Sequence, residues 1–414
     1  MPLLQHSSRP WPAALALALL AGAVAAETPP GTGAGAAGQS TTAADACAPV
    51  GRWRVPGAGG PRDTSAEAVI SRALQSRVVL LGETHDSEEH HRWQLQTLAA
   101  LQARHPELVI ALEMLPRRAQ PALDRWVAGE LDEATFLREA EWREFWGFDP
   151  ALYLPILNFA RMNRIPLVAV NVDRSLTRTV AEKGFAAVPV GDREGIGVPL
   201  PALPAYEDTL FKSWREHPPP DEAHGSLDRD HPDFRRFVEA QLVWDRAIAQ
   251  GLAEAVARHP GAVVAGLLGS GHVVHGWGVP HQLAALGGPA PLTLLPFDRD
   301  DPCEQLAGET AHAVFGVASP PVIMRRMRPR LGVSLGPADG GVRIIEVSPD
   351  SLALRTGLRE GDVIVAVAGT PVTRAAEVAA AVMRQPPGTW LPLEVRRAGR
   401  RLELVARFPA APER

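Results

Sequence analysis

Cysteine, lysine and tyrosine each occur only twice in the 414 residues, as Cys47 and Cys303, Lys183 and Lys212, Tyr153 and Tyr206. Two cysteines so far apart exclude the Cys-x-x-Cys spacing of structural zinc sites and thiol redox motifs. No His-Glu-x-x-His is present, which removes the helical zinc-protease pattern as well. Excess positive charge is also missing: the formal net charge is −5, so the chain has no electrostatic footprint for nucleic acid. The apolar run from Ala13 to Ala21 is too short for an ordinary transmembrane helix, and nothing comparable follows it. Arg9 before that run, and Val24-Ala25-Ala26 before Glu27 after it, give residues 1–26 the layout of a cleavable signal peptide. The expected product is exported, periplasmic or secreted, without a transmembrane segment after cleavage. Cys47 lies too far from the apolar run to serve as a lipoprotein acylation site.

What is present describes a globular protein, 46% hydrophobic and 21% charged, long enough for two domains plus tails. From Arg325 onward fifteen arginines face nine acidic residues, near +6, which leaves the remainder near −11. Residues 27–62, rich in Gly, Ala, Thr and Pro, read as a flexible linker. Cys47 and Cys303 flank the first domain. In an oxidising compartment they either pair across its ends or stay as two thiols, and sequence does not decide between these.

The densest chemistry lies in Val78–His91, VVLLGETHDSEEHH. Val78 to Leu81 form a short buried strand stopped by Gly82. Asp86 and Glu89 make a capping-box pattern that predicts a helix from there to about Arg104, with Leu95, Leu98 and Leu101 inward. Glu83 and His85 therefore fall on a tight turn at the carboxyl end of a strand, where open α/β sheets place their ligands. The plainer readings are a glutamate paired with an arginine, and His90 and His91 solvated in a first helical turn.

Further strands read at Leu108–Leu112, Ile165–Val170, Ala262–Leu268 and Pro291–Pro296, the last closing the domain. Helical stretches lie between them, including a long one from about Asp233 to Arg258 that contains Gln241, Trp244 and Asp245. The alternation predicts an α/β domain with a mostly parallel sheet and flanking helices over residues 63–300. Glu83, Glu113, Asn171 and His272 each follow a strand, so in a parallel sheet all four share one edge. Two carboxylates, an amide and imidazoles suit a metal ion or an acid–base pair. The aromatics from Phe136 to Tyr153 read as core, or as an apolar slot. Residues 184–232, with Tyr206, Trp214, His217, His224 and His231 among many Pro and Gly, read as a segment with little regular structure, a lid or else a disordered insert, and the aromatics and histidines favour the lid.

Leu81-Gly82-Glu83-x-His85-Asp86 with His90-His91, then Leu112-Glu113-Met114, then Gly269-Ser270-Gly271-His272 before Gly278-Val279-Pro280, resemble the ChaN-like haem-binding family of the Tiki superfamily. The resemblance covers roughly residues 47–300. It implies a haem-binding protein of iron uptake, with haem as cofactor and partner and Tyr153, Tyr206, His90 and His91 as candidate ligands. The Tiki and erythromycin-esterase branches imply an alternative, a metal-dependent hydrolase or protease using Glu83, His85, Glu113 and His272 around a divalent metal ion. A scaffold that has lost its chemistry is the third reading. A homodimer stays open.

After a linker at 301–327, residues 328–410 resemble a small β-rich bacterial PDZ domain. The markers are Arg330-Leu331-Gly332-Val333, Val347-Ser348-Pro349, Gly361-Asp362-Val363-Ile364 and Gly369-Thr370-Pro371. The resemblance implies binding of peptide or protein C-termini, with Leu331, Gly332 and Val333 around the carboxylate and β-augmentation along the adjoining strand. A PDZ domain that only packs on its own chain is the plainer alternative.

Overall fold

The computed structural model describes residues 47–216, 228–319 and 330–410. The expected signal peptide, His217 and His224 lie outside the described residues. The first sheet has eight strands: β1 (Trp53–Val55), β2 (Arg62–Thr64), β3 (Val78–Glu83), β4 (Leu108–Pro116), β5 (Leu167–Asn171), β6 (Val263–Gly269), β7 (Leu292–Asp298) and β8 (Ala313–Val317). Their order is β2-β1-β8-β7-β3-β6-β4-β5. The six strands from β8 to β5 are parallel throughout, and β1 and β2 add an antiparallel edge. β3, β4 and β6 are buried at every position, as their continuous apolar runs require in a sheet covered on both faces.

The helices along residues 47–319 are α1 (Ala66–Leu74), α2 (Glu88–Gln102), α3 (Gln120–Ala128), α4 (Glu133–Glu139), α5 (Trp142–Phe145), α6 (Leu154–Asn163), α7 (Arg174–Lys183), α8 (Pro204–Glu216), α9 (Pro232–Arg258) and α10 (Val279–Ala285). α2 starts two residues later than the Asp86 pattern predicts, because Ser87 is the residue whose side chain accepts an N–H, that of His90. One face of α9 carries Ile248, Ala249, Leu252 and Ala255 into the core beside Val78, Leu80, Val109 and Val264. Within α3–α6, the Trp126 ring lies 4.8 Å from Phe136, and its indole N–H donates to the Leu157 carbonyl.

Three expectations need correction. The domain does not close at Pro296, since β8 follows inside the segment expected as a linker and pairs with β7. The tether expected over 27–62 contains β1, which is pinned by the buried Trp53 indole against Phe315 at 5.1 Å. The stretch expected as an irregular lid contains α8, whose Tyr206, Leu210 and Trp214 pack on Phe234, Val238 and Leu242 of α9. The Cys47–Cys303 pair is a disulfide with Cα atoms 5.7 Å apart.

The second sheet is antiparallel. It comprises β9 (Val333–Ala338), β10 (Gly341–Val347), β11 (Val363–Val367), β12 (Thr370–Pro371), β13 (Trp390–Arg397) and β14 (Arg400–Arg407) in the order β14-β13-β11-β10-β9, with β12 on β11. The helices α11 (Leu352–Thr356) and α12 (Ala375–Met383) complete it, and Val378 and Val382 of α12 enter the same core as Val342, Ile344 and Leu393. Buried Asp362 receives two 2.7 Å bonds from the Arg397 guanidinium, a bidentate pair that ties the turn before β11 to β13.

Candidate functional site

β3, β6 and β4 lie side by side with their carboxyl ends on one edge. Glu83 closes β3 opposite Gly269 of β6, and Glu113 follows Leu112 of β4, which pairs with Leu267. β6 then turns through Ser270–His272. The edge so assembled is a chain of buried charges. His85 Nδ1 lies 2.5 Å from Glu83 Oε1. Glu113 Oε2 accepts the Gly269 N–H at 2.6 Å, and its Oε1 lies 3.4 Å from His272 Nε2. The other ring nitrogen of His272 is 2.6 Å from Asp245 Oδ1 on α9. Tyr206 on α8 donates its hydroxyl to Asp245 Oδ2 at 2.9 Å and accepts from the Gln241 amide at 3.2 Å. Glu113 and Asp245 have no exposed surface, at 0% each.

Gly269 makes the arrangement possible. A Cβ there would fall 2.8 Å from His85 Cε1 and 3.7 Å from Glu113 Oε2, so any larger residue would intrude between the imidazole and the carboxylate.

Burial and charge oppose each other at each group. Burial works against a charged His272, but Glu113 and Asp245 outweigh it and push its pKa up to about 10. Burial likewise disfavours charge on His85, and Glu83 overcomes it, so its pKa is raised. Glu113 is held below the usual carboxylate range because His272, His85 and the Gly269 N–H outweigh its own burial. Asp245 goes the other way: burial dominates and raises it, in spite of His272 and Tyr206. At neutral pH an imidazolium therefore sits between two buried carboxyl groups, the makings of acid–base chemistry.

Of the four strand-end residues, Glu83, Glu113 and His272 share this edge and Asn171 does other work. The Asn171 amide donates to the Glu113 carbonyl at 2.8 Å and accepts from Val172 N–H, splicing β5 to β4. A divalent metal on Glu83, His85, Glu113 and His272 has no counterpart, since among the described residues no three His, Cys, Asp or Glu side chains are grouped to hold one. The nitrogens of His272 are turned to Asp245 and Glu113 instead of a common ion. Asp245 and Gln241 join the site from α9, where no strand-end motif marks them. Their signal was two polar residues four apart on the buried stripe of an amphipathic helix.

The candidate haem ligands divide. Tyr206 does not fit a phenolate role, because burial and the neighbouring Asp245 charge push its pKa well above the ordinary tyrosine value. Tyr153 lies in an aromatic nest: its ring is 4.2 Å from His91, 5.3 Å from Trp142 and 6.2 Å from Trp146. A phenol and an imidazole against indole rings fit haem in donor type and in apolar surroundings. His90 and His91 are buried, not solvated in a first helical turn.

In the second domain, Leu331 and Gly332 give their carbonyls to Ala353 N–H at 2.7 Å and Ser348 N–H at 3.0 Å. Neither of their own N–H groups donates to a described residue. Gly332 has φ +77°, and a Cβ there would lie 2.4 Å from the Ser351 Cβ. β9, beginning at Val333, lies at the edge of its sheet and, among the described residues, pairs with β10 alone.

Residues 69–283 match the family model described as haem-binding uptake, Tiki superfamily, ChaN, and residues 329–406 match that of the PDZ domain. Among solved structures, ChaN of Campylobacter jejuni with cofacial haem is 19% identical, over 64% of this chain and 96% of that one, at a TM-score of 0.49. The HtrA3 PDZ domain bound to the phage-derived ligand FGRWV is 30% identical, over 19% of this chain and 82% of that one, at 0.18. A serine endoprotease from Yersinia pestis is 28% identical over 20% of this chain and 29% of its own length, at 0.18. No curated protein matches.

Proposed function

Because the chain belongs to the ChaN family of haem-binding uptake proteins in the Tiki superfamily and carries a PDZ domain after it, we propose that it is an exported haem-binding protein linked to iron uptake. Tyr153 and His91 are the residues of choice for the haem. The observation that carries this is the aromatic nest: a phenol packed on an imidazole and two indoles inside the matched region. Bound haem would supply the iron to be carried, and this chain's part is to hold it and keep water from it. Export is supported by the Cys47–Cys303 disulfide, a bond that persists in oxidising compartments. Among the described residues no helix is long and apolar enough to cross a membrane. The PDZ domain captures carboxyl termini of peptides or partner proteins through the two undonated N–H groups beside the open edge of β9.

Titration of the full chain with haemin, followed by absorption, tests the haem reading. One saturable site is expected, weakened at least about tenfold in Tyr153→Phe, as loss of an axial ligand requires, and unchanged in Tyr206→Phe. Equal affinity in all three proteins would remove Tyr153 from the role.

The buried Glu113–His272–Asp245 set favours a second reading, acid–base hydrolysis at the sheet edge. It predicts a hydrolytic activity on ester or peptide substrates that disappears in His272→Gln while haem binding stays. Activity retained in that variant would sink it.

A further inference from the structure

The aromatic nest is shut. Tyr153 and His91 are 2% exposed, Trp142 1% and Trp146 3%. A macrocycle whose iron is to meet the Tyr153 phenol therefore has to move part of the wall first. Trp142 opens α5 and Trp146 follows it, and both indoles stand edge-on to the Tyr153 ring. α5 is a single turn, entered through Glu141 at φ 50° and left through Gly147 at φ 81°. A glutamate in the left-handed region is a strained backbone that persists only where its surroundings hold it. That marks α5 as the movable part of the wall.

The other face of α5 meets the PDZ domain. Residues 86–91 and 119–164 belong to one compact unit with that domain, and α12 packs against α5 within it. The Arg374 guanidinium, at the N-cap of α12, pairs with Glu144 of α5. Arg374 is not a loose surface side chain. Its Nε and one terminal nitrogen donate to Glu377 Oε1 at 3.1 and 2.9 Å, while Glu377 Oε2 accepts the Thr373 N–H at 2.8 Å. The guanidinium is thus presented to Glu144 with little side-chain freedom left to lose. Trp142 and Phe145 turn inward from α5, and Glu144 between them is exposed, so one short helix closes the nest and carries the tie.

Resting on the haem reading of this nest, we propose that α5 is its gate and that the PDZ domain, through Arg374 on Glu144, is the latch of that gate. The contact is made when the nest is closed and lost when α5 swings out, so it opposes haem entry by as much as it favours the closed state. The PDZ domain thereby sets how readily the nest takes up haem.

Haemin titrations of the full chain, with association rates by stopped flow, test this as a double-mutant cycle. Arg374→Ala and Glu144→Ala are each expected to tighten haemin binding and speed its association about two- to fivefold, the scale of a half-exposed ion pair. The double variant should gain no more than either single one, because the same contact is removed in all three. Arg374→Lys, which keeps the charge, should stay within about twofold of the wild type. Single variants that bind haemin as the wild type does, or whose gains add in the double variant, overturn the latch. Weaker binding in them overturns it as well, since the contact would then favour the loaded nest. Saturable binding that is equal across the set fails the latch alone. If no protein of the set binds haemin saturably, the haem reading itself fails and the latch falls with it.

Discussion

Replacing His272 by alanine should be among the most damaging single changes in the first domain. The imidazole stands between Glu113 Oε1, which has no hydrogen-bond partner among the described residues, and Asp245 Oδ1. Removing it leaves a fully buried carboxylate facing a buried carboxyl group without the cation that compensates them. Breaking a buried pair in this way costs about 3–5 kcal/mol. For a domain of this size that is a fall in melting temperature of roughly 6–20 °C. Tryptophan fluorescence is a suitable probe, since Trp390 is the one tryptophan of residues 330–410 and Trp244 packs edge-on against His272 at 5.0 Å. The pH dependence carries a second signature. A raised folded pKa means that the His272 contribution is complete below its unfolded value of 6.5 and is lost as pH rises through about 10. Glu113, lowered from 4.5, contributes above that value and loses its contribution as pH falls through its folded pKa. The wild type should therefore lose stability between pH 6.5 and about 10 more steeply than the variant. A His272→Ala protein within about 0.5 kcal/mol of the wild type at pH 7, the range of an ordinary surface substitution, would refute the ion-paired edge.

Three further outcomes follow from the same contacts. Tyr206→Phe removes one buried bond to Asp245 and one from Gln241, and urea unfolding should register a loss of about 1–3 kcal/mol. Gly269→Ala drives a methyl group into His85, so calorimetry should show a loss of about 1–3 kcal/mol, and an unchanged melting temperature would mean that the His85 ring is free to move. The disulfide closes a separation of 256 residues, so the Cys47→Ser/Cys303→Ser double variant should lose up to about 5 kcal/mol, the chain-entropy limit; equal unfolding midpoints would show that the unfolded chain is not constrained by it.

The sheet edge was legible because strands announce themselves. Continuous apolar runs ending in Glu83, in Glu113 and just before His272 fixed both the parallel sheet and the edge on which these residues meet. Asn171 stood at an equivalent strand end and yet braces the backbone, because an amide can satisfy a neighbouring carbonyl as readily as it can face a cleft. Asp245 and Tyr206 come from helices, and which turn of a helix faces a strand end depends on packing that no local pattern records. α8 was hidden by the Pro and Gly around it, although Tyr206, Leu210 and Trp214 keep helical spacing. β1 leaves no pattern in the sequence because three residues are too few for an alternation to emerge; the disulfide and Trp53 hold it in place.

The central claim, that Tyr153 is the residue that meets haem iron, is tested most directly by the electron paramagnetic resonance and resonance Raman spectra of the ferric, haem-loaded chain. Phenolate ligation of high-spin iron is predicted in the wild type and in Tyr206→Phe, and its bands should vanish in Tyr153→Phe. Phenolate bands that persist in Tyr153→Phe and vanish in Tyr206→Phe would contradict it, and would place the haem beside Asp245 and the charged edge of the sheet.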